Sequence, residues 1–112
     1  MLNDILMDNG YDVQPALSGS LALTSIQKCT PDLILLDILM PIMSGYEVCS
    51  LLKADPHMRD IPVIFVSALT EPQNRIKGFK LGAVDYITKP FQLEEVLARV
   101  ETQLANRFEN KK

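Results

Sequence analysis

The chain has 112 residues, the length of one domain, and its 47% hydrophobic and 22% charged residues make a globular composition rather than a disordered one. A formal net charge of −3 gives no electrostatic reason to seek nucleic acid or anionic lipid, and no apolar run reaches the roughly 18 residues of a membrane-spanning helix. The opening stretch carries Asp4 and Asp8 and no basic residue, unlike a secretory signal, and Cys29 and Cys49 lack the spacing of a zinc site or disulfide scaffold, which fits a reducing cytosol.

In chain order, Leu2, Ile5 and Leu6 fall at helical spacing and Gly10 follows as a left-handed stop. Tyr11–Ala16 reads as a strand that Pro15 confines to an edge or to its own end. Ser18 caps a helix with Leu21, Ala22, Leu23 and Ile26 inward, and Pro31 ends that unit. Leu33–Leu36 (LILL) is a continuous apolar run, the pattern of a strand buried on both faces of a parallel sheet. Ser44 starts a helix with Val48, Leu51 and Leu52 as its inner stripe, and Asp55-Pro56 stops it. Val63–Val66 (VIFV) is a second doubly buried strand. A helix from about Pro72 turns Ile76, Phe79 and Leu81 inward, and Gly82 closes it. Asp85–Thr88 is a short strand. The last helix begins after Pro90, with Leu93, Val96, Leu97, Val100 and Leu104 at helical spacing, and the polar stretch 106–112 reads as a frayed tail or the start of a linker. The alternation predicts one α/β domain over 1–112, with four strands and five helices.

Ligands of open parallel sheets sit beyond the carboxyl ends of the strands. Asp37 follows LILL, Ser67 follows VIFV and Lys89 follows DYIT. Singly, each has a plain explanation: a turn-forming Asp, a Ser bonded to its own backbone, a solvated Lys. Together they supply a nucleophilic carboxylate, a hydrogen-bond donor and a point charge suited to a phosphoryl group.

The segments PDLILLDILMPIMSGYEVCSLLK, IPVIFVSA and GAVDYITKPF closely resemble the receiver domain of two-component response regulators, over essentially the whole chain. The resemblance implies a flavodoxin-like, doubly wound parallel sheet. It makes Asp37 the phosphoacceptor, Ser67 the switch hydroxyl and Lys89 the partner of the acceptor or its phosphate. Tyr86 takes the place of the switch aromatic, and the backbone carbonyl of Leu39, together with Asp37, would help hold Mg²⁺. It also implies a signalling function rather than an enzyme, phosphate received from a histidine kinase or phosphotransfer protein, a cytoplasmic location, and no direct contact with nucleic acid or membrane. Many receivers dimerise through the face made by the fourth helix, last strand and last helix; Arg75, Lys80, Asp85, Glu95, Arg99 and Glu101 lie on the matching elements, and a homodimer through them is expected.

The family's first strand and its Mg²⁺-binding acidic pair have no counterpart in this sequence, a stretch of roughly 15–20 residues by strand and half-helix lengths. Asp4, Asp8 and Asp12 do not stand at a strand end and cannot replace that pair. Weak or absent Mg²⁺ binding and impaired phosphorylation are therefore expected of a domain truncated to four strands, with the bare LILL edge completed by a second chain in preference to a shift of its own YDVQPA strand. A receiver-like module that acts in interaction or dimerisation without phosphate is the alternative. A dehalogenase-type phosphatase needs a second Asp where Leu39 stands, and no GxGxxG or GxxxxGK[ST] supports nucleotide binding. His57 reads as a solvated loop residue.

Overall fold

The structure, a computed structural model, describes residues 6–12, 18–40 and 42–110. Residues 6–8 are helical, and Gly10 ends that segment at φ +90°, where a side chain would be strained. Four longer helices and three strands follow: α1 (Gly19–Lys28), β1 (Ile34–Leu36), α2 (Gly45–Ala54), β2 (Val63–Ser67), α3 (Pro72–Lys80), β3 (Asp85–Thr88) and α4 (Leu93–Asn110). The strands form a parallel sheet in the order β1-β2-β3. Leu35 pairs with Ile64, and Phe65 with both Leu36 and Tyr86.

Each crossover carries a helix, α2 and α3 lie on the Phe65 face of the sheet, and α4 covers the other face. Alternate residues divide the core in two. Leu36, Val63, Phe65 and Tyr86 pack toward Ile26 of α1 and Val48, Cys49 and Leu52 of α2. Ile64, Val66 and Ile87 pack toward Leu6 and toward Val96 and Val100 of α4. The central strand β2 is buried along its whole length, as the unbroken apolar run requires.

The helix starts follow their caps. Ser18 accepts the Leu21 N–H at 3.2 Å. Ser44 accepts the Glu47 N–H at 3.3 Å while Glu47 reaches back to the Ser44 N–H, a complete capping box. Pro72 opens α3, where its missing N–H costs nothing.

Several expectations are corrected. Three strands, not four, are present among the described residues; most of the Tyr11–Ala16 strand, like the helix start at Leu2 and Ile5, lies outside them, and Tyr11 and Asp12 are not in a strand. Leu21 and Leu51 are exposed rather than inward, because Ile26 and Cys49 take the core positions of α1 and α2. Ile76 and Phe79, expected inward, are 53% and 48% exposed. The buried residue of α3 is Gly78, whose lack of a side chain lets the helix backbone settle on Phe65: a Cβ there would come within 3.0 Å of the ring. Leu93 sits at the exposed rim of α4. At the chain's end α4 continues to Asn110, and Arg107 donates to the Asp60 carbonyl at 3.0 Å.

Candidate functional site

At the carboxyl edge of the sheet, Asp37 leaves β1, Ser67 ends β2 and Lys89 leaves β3. The Lys89 ammonium lies 2.7 Å from Asp37 Oδ2. Asp37 Oδ1 accepts the Leu39 N–H at 3.1 Å, which holds the carboxylate by its own loop. Ser67 is fully buried, and its Oγ accepts the Leu69 N–H at 3.2 Å, leaving the hydroxyl proton available to donate. The Lys89 N–H donates to the Ser67 carbonyl at 2.8 Å, so the amine and the hydroxyl are tied through the main chain. Acid and amine are thus brought together as the sequence predicts, with the hydroxyl on the strand between them.

The loop from Asp37 to α2 returns to its origin. The Gly45 N–H donates to the Ile38 carbonyl at 2.9 Å, and a Cβ on Gly45 would collide with the Asp37 carbonyl. Glycine is needed there for close approach. Ile42 stands in this loop at φ +68° with its side chain in solvent, an uncommon conformation for a β-branched residue.

Tyr86 is buried, with its hydroxyl donating to the Leu69 carbonyl at 2.7 Å and the Arg75 guanidinium 5.4 Å above its ring. Arg75 therefore serves the interior of its own chain as well as its surface. Arg99 forms an ion pair with Asp85 at 2.7 Å and a longer one with Glu95 at 3.6 Å, all within one chain. The hydrogen bond to Asp85, outweighing partial burial, raises the Arg99 guanidinium above its ordinary value. Lys80 and Glu101 are exposed.

Three residues that the sequence reading passed over hold the frame. Lys53 donates to the Arg59 and Ile61 carbonyls, both at 2.9 Å, and burial pushes its ammonium below the ordinary value. Arg107 ties the end of α4 to Asp60. Tyr46 donates to the Asn74 carbonyl at 3.1 Å. A lysine or arginine within a polar stretch carries no signal for such contacts; a tyrosine next to a capped helix start is a modest one.

A parallel α/β sheet with an acid, a hydroxyl and an amine along one carboxyl edge defines a flavodoxin-like domain with its reactive groups where such sheets bind ligands. The chain belongs to the response regulator receiver domain family, whose model matches residues 1–101. It is similar to the DNA-binding dual master transcriptional regulator RpaA of Synechocystis, at 46% identity over 85% of this chain and 39% of that protein. It is also similar to a probable cyclic di-GMP phosphodiesterase of Vibrio cholerae, at 45% identity over 87% of this chain and 22% of that one. The chain thus spans well under half the length of these curated relatives. Among solved structures, it resembles the signal receiver domain of a signal transduction histidine kinase from Syntrophus aciditrophicus, with a TM-score of 0.86 at 36% identity, covering 94% of this chain and 80% of that one. These three similar proteins are a transcriptional regulator, a phosphodiesterase and a kinase, so the shared part is the receiver of two-component signalling and not any one output.

Receiver domains hold Mg²⁺ beside the acceptor. Among the described residues no group of three or more His, Cys, Asp or Glu side chains could hold a metal. Both Asp37 oxygens already accept hydrogen bonds, from Lys89 and Leu39. Mg²⁺ demands octahedral oxygen ligation and relies on carboxylates; Asp37 supplies one, and each of its oxygens keeps a second lone pair beside these hydrogen bonds. No helix among the described residues is long and apolar enough to cross a membrane.

Proposed function

We propose that Asp37 is a phosphoacceptor that takes a phosphoryl group from a histidine kinase or phosphotransfer protein, and that the domain passes this signal on through changed contacts rather than as an enzyme. The observation that carries this reading is the 2.7 Å contact of Lys89 with Asp37 beyond the strand ends. One Asp37 oxygen attacks phosphorus, the phosphorus–nitrogen bond of the donor phosphohistidine breaks, the imidazole leaves and takes a proton, and an acyl phosphate remains on Asp37. Lys89 offsets the charge on the phosphoryl oxygens, and the Ser67 hydroxyl donates to one of them. Ser67 and Tyr86 both bind Leu69, so a new bond at Ser67 changes the seat of Tyr86. A cytoplasmic location accords with this chemistry.

Because the described residues include no cluster of three or more metal-ligating side chains, slow phosphorylation of the 112-residue chain by itself is part of this reading. A homodimer through α3, β3 and α4 is part of the same proposal: Ile76 and Phe79 are exposed on α3, and Arg75, Lys80, Asp85, Glu95, Arg99 and Glu101 lie on the same three elements. A phosphate-independent interaction module is the second reading, favoured by the inward Tyr86, which already has a hydrogen-bond partner without phosphate.

The test is intact-mass analysis after incubation with acetyl phosphate and Mg²⁺. Little or no adduct is expected on the chain alone. A receiver-type strand ending in an acidic pair, fused ahead of residue 1, is expected to give one phosphoryl adduct that Asp37→Asn abolishes. An adduct that survives Asp37→Asn excludes Asp37 as the acceptor.

A further inference from the structure

Helix α3 is attached to the domain in an unusual way. Its larger apolar residues, Ile76 and Phe79, face solvent, and its buried residue is Gly78. What holds it is a column of three rings beneath it. Tyr46 meets Phe65 edge-on at 5.5 Å between centroids, and Phe65 meets Tyr86 at 6.3 Å. Each end of the column carries a cation from α3: Lys77 lies 4.5 Å from the Tyr46 centroid, and Arg75 lies over Tyr86.

Two phenols bracket the segment that leads into the helix. Tyr86 holds the Leu69 carbonyl and Tyr46 holds the Asn74 carbonyl. Tyr46 follows Gly45, whose backbone lies against the Asp37 carbonyl with no room for a Cβ. A shift of the Asp37 main chain therefore moves Gly45 and, with it, Tyr46. That path reaches the first turn of α3 without passing through Ser67, Leu69 or Tyr86.

We propose that Tyr46 is a positioning residue that couples the Asp37 loop to the first turn of α3, by a route separate from Tyr86. The proposal rests on the reading of Asp37 as the residue whose charge changes. A helix seated on rings through Gly78, with a phenol bond to Asn74 and two cation–π contacts and with Ile76 and Phe79 exposed, is within reach of the small energies that shift populations. Burial, followed by the nearby Tyr86, raises the Tyr46 phenol above its ordinary value, so it remains a donor at neutral pH.

The test uses the chain as it stands, by amide NMR and hydrogen exchange. Tyr46→Phe removes the hydroxyl and keeps the ring. It is expected to speed exchange of the amides in 74–78 by about two- to tenfold, the range for one hydrogen bond, with β2 unchanged. Asp37→Asn is expected to shift the amide resonances around Asn74 in the parent chain, and to shift them less than half as far in the Tyr46→Phe background. Undiminished shifts in that background overturn the proposal, as does unaltered exchange in α3. If Tyr86→Phe removes the response at Asn74 and Tyr46→Phe does not, the coupling belongs to Tyr86 alone and the proposal fails. None of these readouts needs phosphate transfer, so failure of Asp37 as the acceptor shows separately in the mass analysis.

Discussion

Lys89 and Asp37, 52 residues apart in sequence, meet at 2.7 Å between Nζ and Oδ2 and so join the ends of β1 and β3 across β2. Their side chains are 42% and 37% exposed, and pairs so open to water contribute only about 0–1 kcal/mol to stability. The contact therefore matters more for chemistry than for folding. Lys89→Ala is expected to change the urea midpoint by the equivalent of less than about 1 kcal/mol. In the acidic-pair fusion it is expected to slow phosphorylation at least about tenfold, read by intact mass.

The lack of a three-ligand cluster among the described residues leads to a prediction about Mg²⁺. Calorimetric titration of the 112-residue chain is expected to show no binding at up to about 1 mM Mg²⁺, a concentration at which even weak calcium-binding modules fill. Saturable submillimolar binding that Asp37→Asn removes would show that Asp37 and backbone oxygens suffice.

Gly45 is the most constrained position in the loop after Asp37. In Gly45→Ala the new methyl meets the Asp37 carbonyl, so that either the loop or the strand end must move. A loss of about 3 kcal/mol is expected in denaturant unfolding, at the upper end for overpacking, together with a changed Asp37 environment. Wild-type stability in this variant would mean the loop has slack that the structure does not show.

The Asp85–Arg99 pair lies within one chain, which changes how a dimer test is read. Asp85→Ala is expected to cost about 1 kcal/mol or less, because Arg99 is substantially exposed. Association is better probed at the apolar residues: Ile76→Glu is expected to abolish any dimer seen by sedimentation and to leave the fold intact. A dimer that persists unchanged in Ile76→Glu uses another surface.

Alkaline stability follows from burial. The Cys49 thiol is pushed above its ordinary 9.0, chiefly by burial, with Lys53 pulling the other way. Tyr11 and Tyr46 are likewise raised above 10.0. The unfolded chain loses these protons first, so the stability they carry is complete below about pH 9 and declines as pH rises through 9 and beyond. Lys53 opposes the trend below 10.5, because its folded ammonium loses its proton before the unfolded one does. The urea midpoint is expected to fall above about pH 9, with the onset moved upward in Cys49→Ala. A midpoint that rises steadily to pH 10 contradicts this.

The strands VIFV and DYIT, the caps Ser18 and Ser44, and the positions of Asp37, Ser67 and Lys89 at strand ends were all legible in the sequence. Each is a local pattern, whether an unbroken apolar run, a capping residue at fixed spacing or a polar residue just past a run, and local patterns survive folding where nothing nonlocal competes. The inner face of α3 was not legible. Ile76 and Phe79 carried the apolar signal, while the seat against Phe65 fell to Gly78, which has no side chain to announce it. The partners of Tyr46, Lys53 and Arg107 were likewise decided by tertiary structure alone. A long polar side chain reaches whichever carbonyl or carboxylate the packed helices bring near, and no spacing in the sequence encodes that distance.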